Sequence, residues 1–274
     1  MSYGGGRARQ CLSNSKVSEA VSPSSLSSGI VTYGIDPKMA PRRLSRRHLG
    51  GREAPITVLG PTEPWRFLMA SQRAVFLDKD GTVIENVPYN VDPGLIQLSP
   101  GAASGLRRLH DAGYLLFVVS NQSGVARGYF SEEALRDVEA RLREMLAEFG
   151  VPLAGFAYCP HHPEGSVEGV SVACDCRKPA PGMIIGLAIE HGVAPADSWM
   201  VGDILDDVEA GRAAGCRTVL IDNGNETKWV MTPGRVPHHR VADLAEAASA
   251  IIKSDKDVGA ARGSFSSAWR DPPA

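Results

Sequence analysis

From residue 74 onward, short continuous apolar runs alternate with longer segments in which apolar positions recur at helical spacing. Continuous apolar runs of this kind are typical of strands that are covered on both faces of a sheet. The predicted strands are 74–77, 114–119, 155–158, 199–201 and 217–221, and the predicted helices are 100–112, 131–149, 183–191, 205–214 and 243–252. The alternation predicts an α/β fold, a doubly wound, Rossmann-like parallel sheet with helices on both faces.

The two ends of the chain differ from this pattern. Residues 1–68 are rich in Ser, Gly, Pro and Arg and show no sustained apolar period. We predict that they are disordered or a misassigned N-terminal extension, with Met69 as the true start; an organellar transit peptide is a third interpretation. The folded domain is predicted to cover 69–253, and 254–274 are predicted to form a polar C-terminal tail.

The charge of the chain is unevenly distributed, although its net charge is only −2. Residues 1–68 hold 10 Lys and Arg against 4 Asp and Glu, whereas the remainder holds 19 against 27. An acidic body argues against nucleic acid as a partner, and no apolar stretch approaches membrane-spanning length. We therefore expect a cytoplasmic monomer without nucleic-acid or membrane partners, in which local cations or a metal hold any anionic substrate.

Charged and polar residues collect just after the predicted strands, where open α/β sheets bind their ligands. Asp78 and Asp80 follow the first strand, and residues two apart in an extended chain point to the same side. Taken alone, this stretch is better explained as a strand and an acidic turn. However, Ser120 follows the second strand and Asp203 the fourth, and Lys178 comes at the end of the Cys/His loop that follows the third. Three acids, a hydroxyl and a lysine that converge in this way suit Mg²⁺-dependent phosphoryl transfer.

A second group of residues is spaced as a metal site. Three of the five cysteines lie within eighteen residues, which is not the distribution of a disulfide framework. Two short pairs supply four soft or borderline ligands: Cys159, His161, Cys174 and Cys176. A complete set of four protein ligands favours a closed, structural Zn²⁺ site, since a catalytic zinc keeps one position open. Such a zinc would staple the loop that leads directly into Arg177.

Four segments resemble the motifs of the haloacid dehalogenase-type phosphatases: 76–82, Ser120, Lys178 and 202–207. More closely, residues 120–128, 159–165 and 174–179 are similar to the bacterial D-glycero-D-manno-heptose-1,7-bisphosphate 7-phosphatases. The resemblance covers about 74–252. It implies a Mg²⁺-dependent phosphatase that hydrolyses the 7-phosphate of this sugar through an aspartyl-phosphate, in the synthesis of lipopolysaccharide core or a related glycan precursor.

The resemblance also implies a role for each matching residue. Asp78 would be the nucleophile, and Asp80 the general acid and then the base. Ser120 and Lys178 would hold the phosphoryl oxygens. Mg²⁺ would be bound by Asp78, Asp203 and the backbone carbonyl of Asp80. The substrate surface would be formed by Asn86, Val87, Pro88, Tyr89, Asn121, Gln122, Ser123 and Arg177.

A few residues depart from the family pattern, and the roles of some others have more than one interpretation. Ser120 stands where the family usually has Thr, which retains the hydroxyl. Ile204 stands where the family often has Lys, so a cation near the substrate is lost and the preferred sugar anomer stays open. Asp207 is expected to orient the motif lysine or a metal-bound water, and Lys79 to point toward solvent. For Arg127, a substrate contact and a surface position are both open.

Other functions compete with this interpretation. Histidinol-phosphate phosphatase resembles the chain in the aspartate motifs and the zinc loop, but the long segment 163–173 favours the heptose enzyme. Another small sugar-phosphate phosphatase is a further alternative. A dehalogenase of the same superfamily would lack the second carboxylate, so Asp80 counts against it. A non-catalytic binding module would not need to retain every catalytic residue type.

Overall fold

The computed structural model describes residues 9–10 and 72–267, with side chains through residue 257 for the second segment. The predictions for 1–8 and 11–71, which include Met69 as the true start, and those for 268–274 therefore lie outside the described residues. Within the N-terminal extension, residues 9 and 10 form a short strand that the sequence pattern did not predict.

In the part of the chain that the structure describes, seven parallel strands form one sheet in the order β1-β4-β3-β2-β5-β6-β7. The strands are β1 Arg9–Gln10, β2 Ala74–Leu77, β3 Leu115–Asn121, β4 Gly155–Cys159, β5 Trp199–Gly202, β6 Arg217–Ile221 and β7 His239–Val241. The five predicted strands are confirmed. The strands β1 and β7 lie at the two edges and are too short to show a period of their own.

The described residues contain five α-helices: α1 Ala102–Asp111, α2 Glu132–Glu148, α3 Gly182–His191, α4 Leu205–Ala213 and α5 Leu244–Ser267. Helices α1 to α4 lie between successive strands from β2 to β6, and α5 follows β7. In the same part of the chain, three single turns of 3₁₀ helix begin at prolines, at Pro93–Leu95, Pro195–Asp197 and Pro233–Arg235. Among the described residues, no helix combines the length and the apolarity needed to cross a membrane. Helices α1 to α4 start and end close to the predicted positions, which confirms the doubly wound α/β fold.

Alternate residues of the central strand face two separate cores. Val75 and Leu77 lie on the face that packs against α1, α2 and α5, whereas Phe76 lies on the face that packs against α3 and α4. All four residues of β2 are fully buried. This two-sided burial is why the strand sequences are continuous apolar runs and do not alternate with polar residues.

The last helix continues beyond its predicted end at residue 252, so residues 254–267 are helical and not a polar tail. Asp255 explains the difference. Its carboxylate forms ion pairs with Arg73 and Arg217 and accepts hydrogen bonds from the Tyr114 hydroxyl and from Trp199 Nε1. These partners stand at the amino ends of β2, β6, β3 and β5. One carboxylate on α5 thus ties four strands together, a contact that the local polar composition does not reveal.

Replacing Asp255 by Ala is expected to lower the free energy of unfolding by about 2–3 kcal/mol, because two arginines and a hydroxyl lose a shared, largely buried acceptor. Urea denaturation measures this change. Asp257→Ala is the matched control, since Asp257 is exposed on the same helix. Equal stability of the two variants would contradict the proposed role of Asp255.

Candidate active site

The strand register places the carboxyl ends of β2, β3 and β5 next to one another. Leu77 of β2 lies opposite Val118 of β3 and Val201 of β5. Asp78 therefore follows β2 between the ends of its two neighbours, and its backbone N–H donates to the Val201 carbonyl at 2.9 Å. Chain connections leave in opposite directions from this point, which is where open α/β sheets bind ligands.

A buried lysine lies at the centre of the site. Lys178 Nζ contacts Asp78 Oδ1, lies 2.6 Å from Asp207 Oδ1 and donates to the Val119 carbonyl at 2.9 Å. Burial lowers the pKa of Lys178, but the two carboxylates outweigh this effect and the net shift is upward. The amine is therefore charged, and the expected contact between Asp207 and the motif lysine is present.

Three carboxylates surround this amine. Asp78, Asp203 and Asp207 are all buried, and one oxygen from each lies within 4.8 Å of the others. Burial, together with the charge of Asp78, raises the pKa of Asp203 to about 6. Burial likewise raises the pKa of Asp207, against the opposing charge of the lysine. Close carboxylates of this kind are stabilised by a cation, and their oxygen donors suit a hard cation such as Mg²⁺.

Asp203 is held in place by groups from two other segments. Thr82 Oγ1 donates to Asp203 Oδ1 at 3.1 Å, and Asn225 Nδ2 donates to Asp203 Oδ2 at 2.7 Å. Gly81 has φ +83°, and a side chain there would collide with both Asp203 and Asn225. In the same group of contacts, Asn223 Nδ2 donates to the Gly81 carbonyl at 2.7 Å.

The sequence analysis missed both asparagines. They follow β6, so the rule that polar residues collect after strands would have found them if it had been applied to the fifth predicted strand. Asn225 orients the Asp203 carboxylate directly, and Asn223 holds the backbone of Gly81 beside it.

Asp80 lies outside the carboxylate cluster but next to it. Its side chain accepts from Gln122 Nε2 at 3.1 Å, and the same amide nitrogen donates to Ser120 Oγ at 2.7 Å. Burial raises the pKa of Asp80, with the charge of Lys79 opposing and that of Asp78 adding to the shift. A carboxyl group that retains its proton more readily is suited to act as a general acid.

The expectation that Lys79 points toward solvent was wrong. Lys79 is only 1% exposed, and its Nζ lies 3.1 Å from Asp80 Oδ1. Neighbouring residues of an extended chain point to opposite sides, so Lys79 does point away from Asp78. However, the sheet is covered on both faces, and the opposite side is therefore interior as well.

The predicted substrate residues divide into two groups. The Asn121 amide exchanges two hydrogen bonds of 3.0 Å with the backbone of Lys178, and Gln122 is buried behind Ser120. These two side chains therefore contact the candidate catalytic residues Lys178 and Ser120. By contrast, Asn86, Val87, Pro88 and Tyr89 are exposed on the segment after β2, while Ser123 and Arg177 are partly buried. Their contact with substrate stays a prediction.

The four predicted zinc ligands lie together beyond the end of β4. The three Cys sulfurs are 3.3–3.5 Å apart, and His161 Nδ1 lies 3.3 Å and 3.6 Å from the sulfurs of Cys176 and Cys159. Tetrahedral zinc lies about 2.3 Å from each sulfur, so its sulfur ligands are about 3.8 Å apart. The sulfurs of this cluster would need to move apart only slightly to hold the ion. The neighbouring Cys176 and burial raise the pKa of Cys159, and a metal would reverse this by binding the thiolate. The set fits a closed structural site.

Comparisons with known proteins agree with this geometry. Residues 175–247 match a family model described as HAD-hydrolase-like, where HAD stands for haloacid dehalogenase. The chain is 38% identical over 192 residues to D-glycero-beta-D-manno-heptose-1,7-bisphosphate 7-phosphatase of Salmonella typhi, covering 67% of this chain and 97% of that protein. It is 44% identical over 161 residues to the enzyme of the same name from Haemophilus ducreyi, covering 56% and 85%.

A solved structure is also similar. The D,D-heptose 1,7-bisphosphate phosphatase from B. bronchiseptica, complexed with magnesium and phosphate, superposes with a TM-score of 0.55 at 29% identity. The match covers 67% of this chain and 99% of that one. The match therefore takes in about two thirds of this chain and nearly the whole of the solved structure.

Proposed function

Because this chain belongs to the haloacid dehalogenase-like phosphatases and is a phosphoric monoester hydrolase, we propose that it removes the 7-phosphate from D-glycero-D-manno-heptose 1,7-bisphosphate. The observation that carries the proposal is the buried contact of Lys178 with Asp78 and Asp207, beside Asp203, at the carboxyl edge of the sheet. The names of the relatives specify the β anomer, which is our expected substrate.

Asp78 is proposed as the nucleophile. One of its carboxylate oxygens attacks phosphorus while the bond from phosphorus to the sugar oxygen breaks, and the product is an aspartyl-phosphate. Lys178 and Ser120 would hold the other phosphoryl oxygens, so that the charge on them meets a fixed cation and a hydroxyl donor. The contact of Lys178 with Asp78 places this cation beside the attacking group.

Asp80 is proposed as the general acid for the leaving sugar oxygen and then as the general base for the attacking water. Its raised pKa lets the carboxyl group hold a proton and donate it to the leaving sugar oxygen. The resulting carboxylate would then take a proton from the water that hydrolyses the aspartyl-phosphate. Gln122, which donates to both Asp80 and Ser120, would fix these two groups relative to each other.

Two metal ions are part of the proposal. Asp78, Asp203 and the backbone carbonyl of Asp80 would hold Mg²⁺, whose charge offsets that of the phosphoryl group during transfer. The cluster of Cys159, His161, Cys174 and Cys176 would hold a structural Zn²⁺. That zinc would position the segment that continues into Lys178.

The substrate proposal is tested by phosphate release with Mg²⁺ present. We expect kcat/KM for β-heptose 1,7-bisphosphate to exceed those for the α anomer and for histidinol phosphate by at least about tenfold. Preference for histidinol phosphate would replace the proposed substrate but retain the mechanism. Equal, weak activity on all three would point to another small phosphoester, and no release from any would contradict catalysis by this site.

A further inference from the structure

Tyr89 has a backbone conformation that is unusual for its residue type. Its φ is +56°, in the left-handed region, and no other non-glycine residue that the structure describes has a positive φ. The N–H of Asn90 donates to the Val87 carbonyl at 3.1 Å, so Tyr89 is the third residue of a four-residue turn. Pro88 in the second position and a positive φ in the third are the pattern of a type II turn, which favours Gly or Asn in the third. A bulky side chain at this position is strained.

Core packing does not explain this strain. The whole segment 85–89 is exposed, and Tyr89 itself is 50% exposed. Strained residues persist where surrounding contacts hold them, and they collect at sites that bind ligands. The contact that holds Tyr89 therefore bears on what this segment does.

The ring of Tyr89 contacts the ring of Tyr129. The two ring centroids are 4.7 Å apart, and the ring planes meet at 87°. This edge-to-face arrangement is favourable, because the positive edge of one ring meets the negative face of the other. Tyr129 is 60% exposed, so the pair is a surface contact between two loops and not part of the core.

The ring pair joins two segments that leave the candidate catalytic edge from neighbouring strands. Tyr89 belongs to the segment that follows Asp80, and Tyr129 to the segment that follows Ser120. The backbone of the second segment is fixed by its own hydrogen bonds, since the N–H of Tyr129 donates to the Gly124 carbonyl at 2.9 Å. Tyr129 is therefore a fixed support against which the strained turn packs.

We propose that Tyr129 is a positioning residue for substrate binding and that it acts through Tyr89. Its ring holds the turn in the left-handed conformation and thereby fixes the segment 86–89, the predicted substrate surface. The proposal rests on the function proposed above, because that function gives this segment a sugar to bind. A segment that is ordered before the substrate arrives loses less entropy on binding, so Tyr129 contributes to affinity and not to the chemical step.

Hydrogen–deuterium exchange without substrate tests this support directly. In Tyr129→Ala, a peptide that covers 85–92 is expected to exchange about three- to tenfold faster, whereas peptides from the strands keep their wild-type rates. Tyr129→Phe retains the ring and is expected to exchange like the wild-type protein. Unchanged exchange of 85–92 in Tyr129→Ala would overturn the proposal.

Steady-state kinetics show whether the support serves substrate binding. For β-heptose 1,7-bisphosphate, Tyr129→Ala is expected to raise KM about three- to tenfold with kcat within about twofold, and Tyr129→Phe to restore the wild-type KM. Acetyl phosphate is the comparison substrate, because it has a phosphoryl group but no sugar, and its kcat/KM should change by less than about twofold. An equal loss on both substrates would mean a general structural role and would overturn the positioning role.

Phe149→Ala is the matched control. Phe149 is also an exposed aromatic residue, but it lies at the C-terminal end of α2. It should change neither the exchange of 85–92 nor the KM for the sugar bisphosphate.

A double-mutant cycle separates action through Tyr89 from a direct contact between Tyr129 and substrate. Tyr89→Ala removes the ring that Tyr129 is proposed to hold. Adding Tyr129→Ala to it should therefore raise KM by less than about twofold further. Additive effects of the two substitutions would overturn action through Tyr89.

Fructose 1,6-bisphosphate, assayed in parallel, separates this inference from the substrate proposal. A wild-type enzyme that hydrolyses the fructose compound but neither heptose anomer, with a raised KM in Tyr129→Ala, would refute the proposed substrate and support the role of Tyr129. Activity on heptose bisphosphate with a wild-type KM in Tyr129→Ala would do the reverse.

Discussion

Asp78→Asn is expected to lower kcat by roughly a thousandfold or more while the protein stays folded. The amide has nearly the same shape as the carboxylate, but it is a poor nucleophile toward phosphorus. It also removes one of the two carboxylates that contact Lys178, while Asp207 stays within 2.6 Å of the amine. Steady-state phosphate release with Mg²⁺ gives the rate, and circular dichroism reports the fold.

Asp222→Asn is the matched control for this variant. Asp222 also follows a strand of the sheet directly, but its carboxylate pairs with Arg240. We expect it to retain activity within about threefold. Mass spectrometry of acid-quenched wild-type enzyme during turnover should show a phosphoryl group on the peptide that contains Asp78. Substantial turnover by Asp78→Asn, or a phosphoryl group elsewhere, would refute the covalent mechanism.

Cys174→Ser is expected to release zinc, to lower the melting temperature by roughly 10 °C and to reduce activity strongly. A structural site with three ligands binds zinc far more weakly than one with four. Zinc binding then no longer stabilises the folded loop. Activity falls as well because this loop continues into Arg177 and Lys178. Zinc content by atomic emission, thermal melting and phosphate release measure the three effects.

Cys216→Ala serves as the control for loss of a thiol. Cys216 is buried but does not belong to the metal cluster. Its zinc content should equal that of the wild-type protein, with a modest loss of stability from the smaller side chain. If Cys174→Ser retained one zinc per chain, the proposed ligand set would be wrong. If it lost zinc but kept full activity, the loop would not depend on the metal for its position.

The sequence by itself determined the five central strands, most helices and the residues at the candidate catalytic edge. These features follow from local pattern. A strand buried on both faces must be a continuous apolar run, and in a parallel sheet the residues after such runs meet at one edge. Asp78, Ser120, Lys178 and Asp203 could therefore be placed together before any distance was known. The spacing of the Cys and His pairs likewise grouped the four candidate zinc ligands.

Only the tertiary structure decided features that depend on contacts between distant segments. Asp255, which lies on α5 beyond the predicted end of that helix, contacts four residues: Arg73, Arg217, Tyr114 and Trp199. Without these contacts the carboxylate would be one more polar residue in a polar segment. Two of the four partners lie more than a hundred residues away, and no local period reports such contacts.

The same reason accounts for the details of the site. Lys79 is interior because helices cover both faces of the sheet, a property of the packed layers and not of the strand. Asn225 reaches Asp203 because the segment after β6 folds back over β5. Local pattern determines which groups reach the edge of the sheet, whereas long-range packing decides which of them are paired and which are left to bind a ligand.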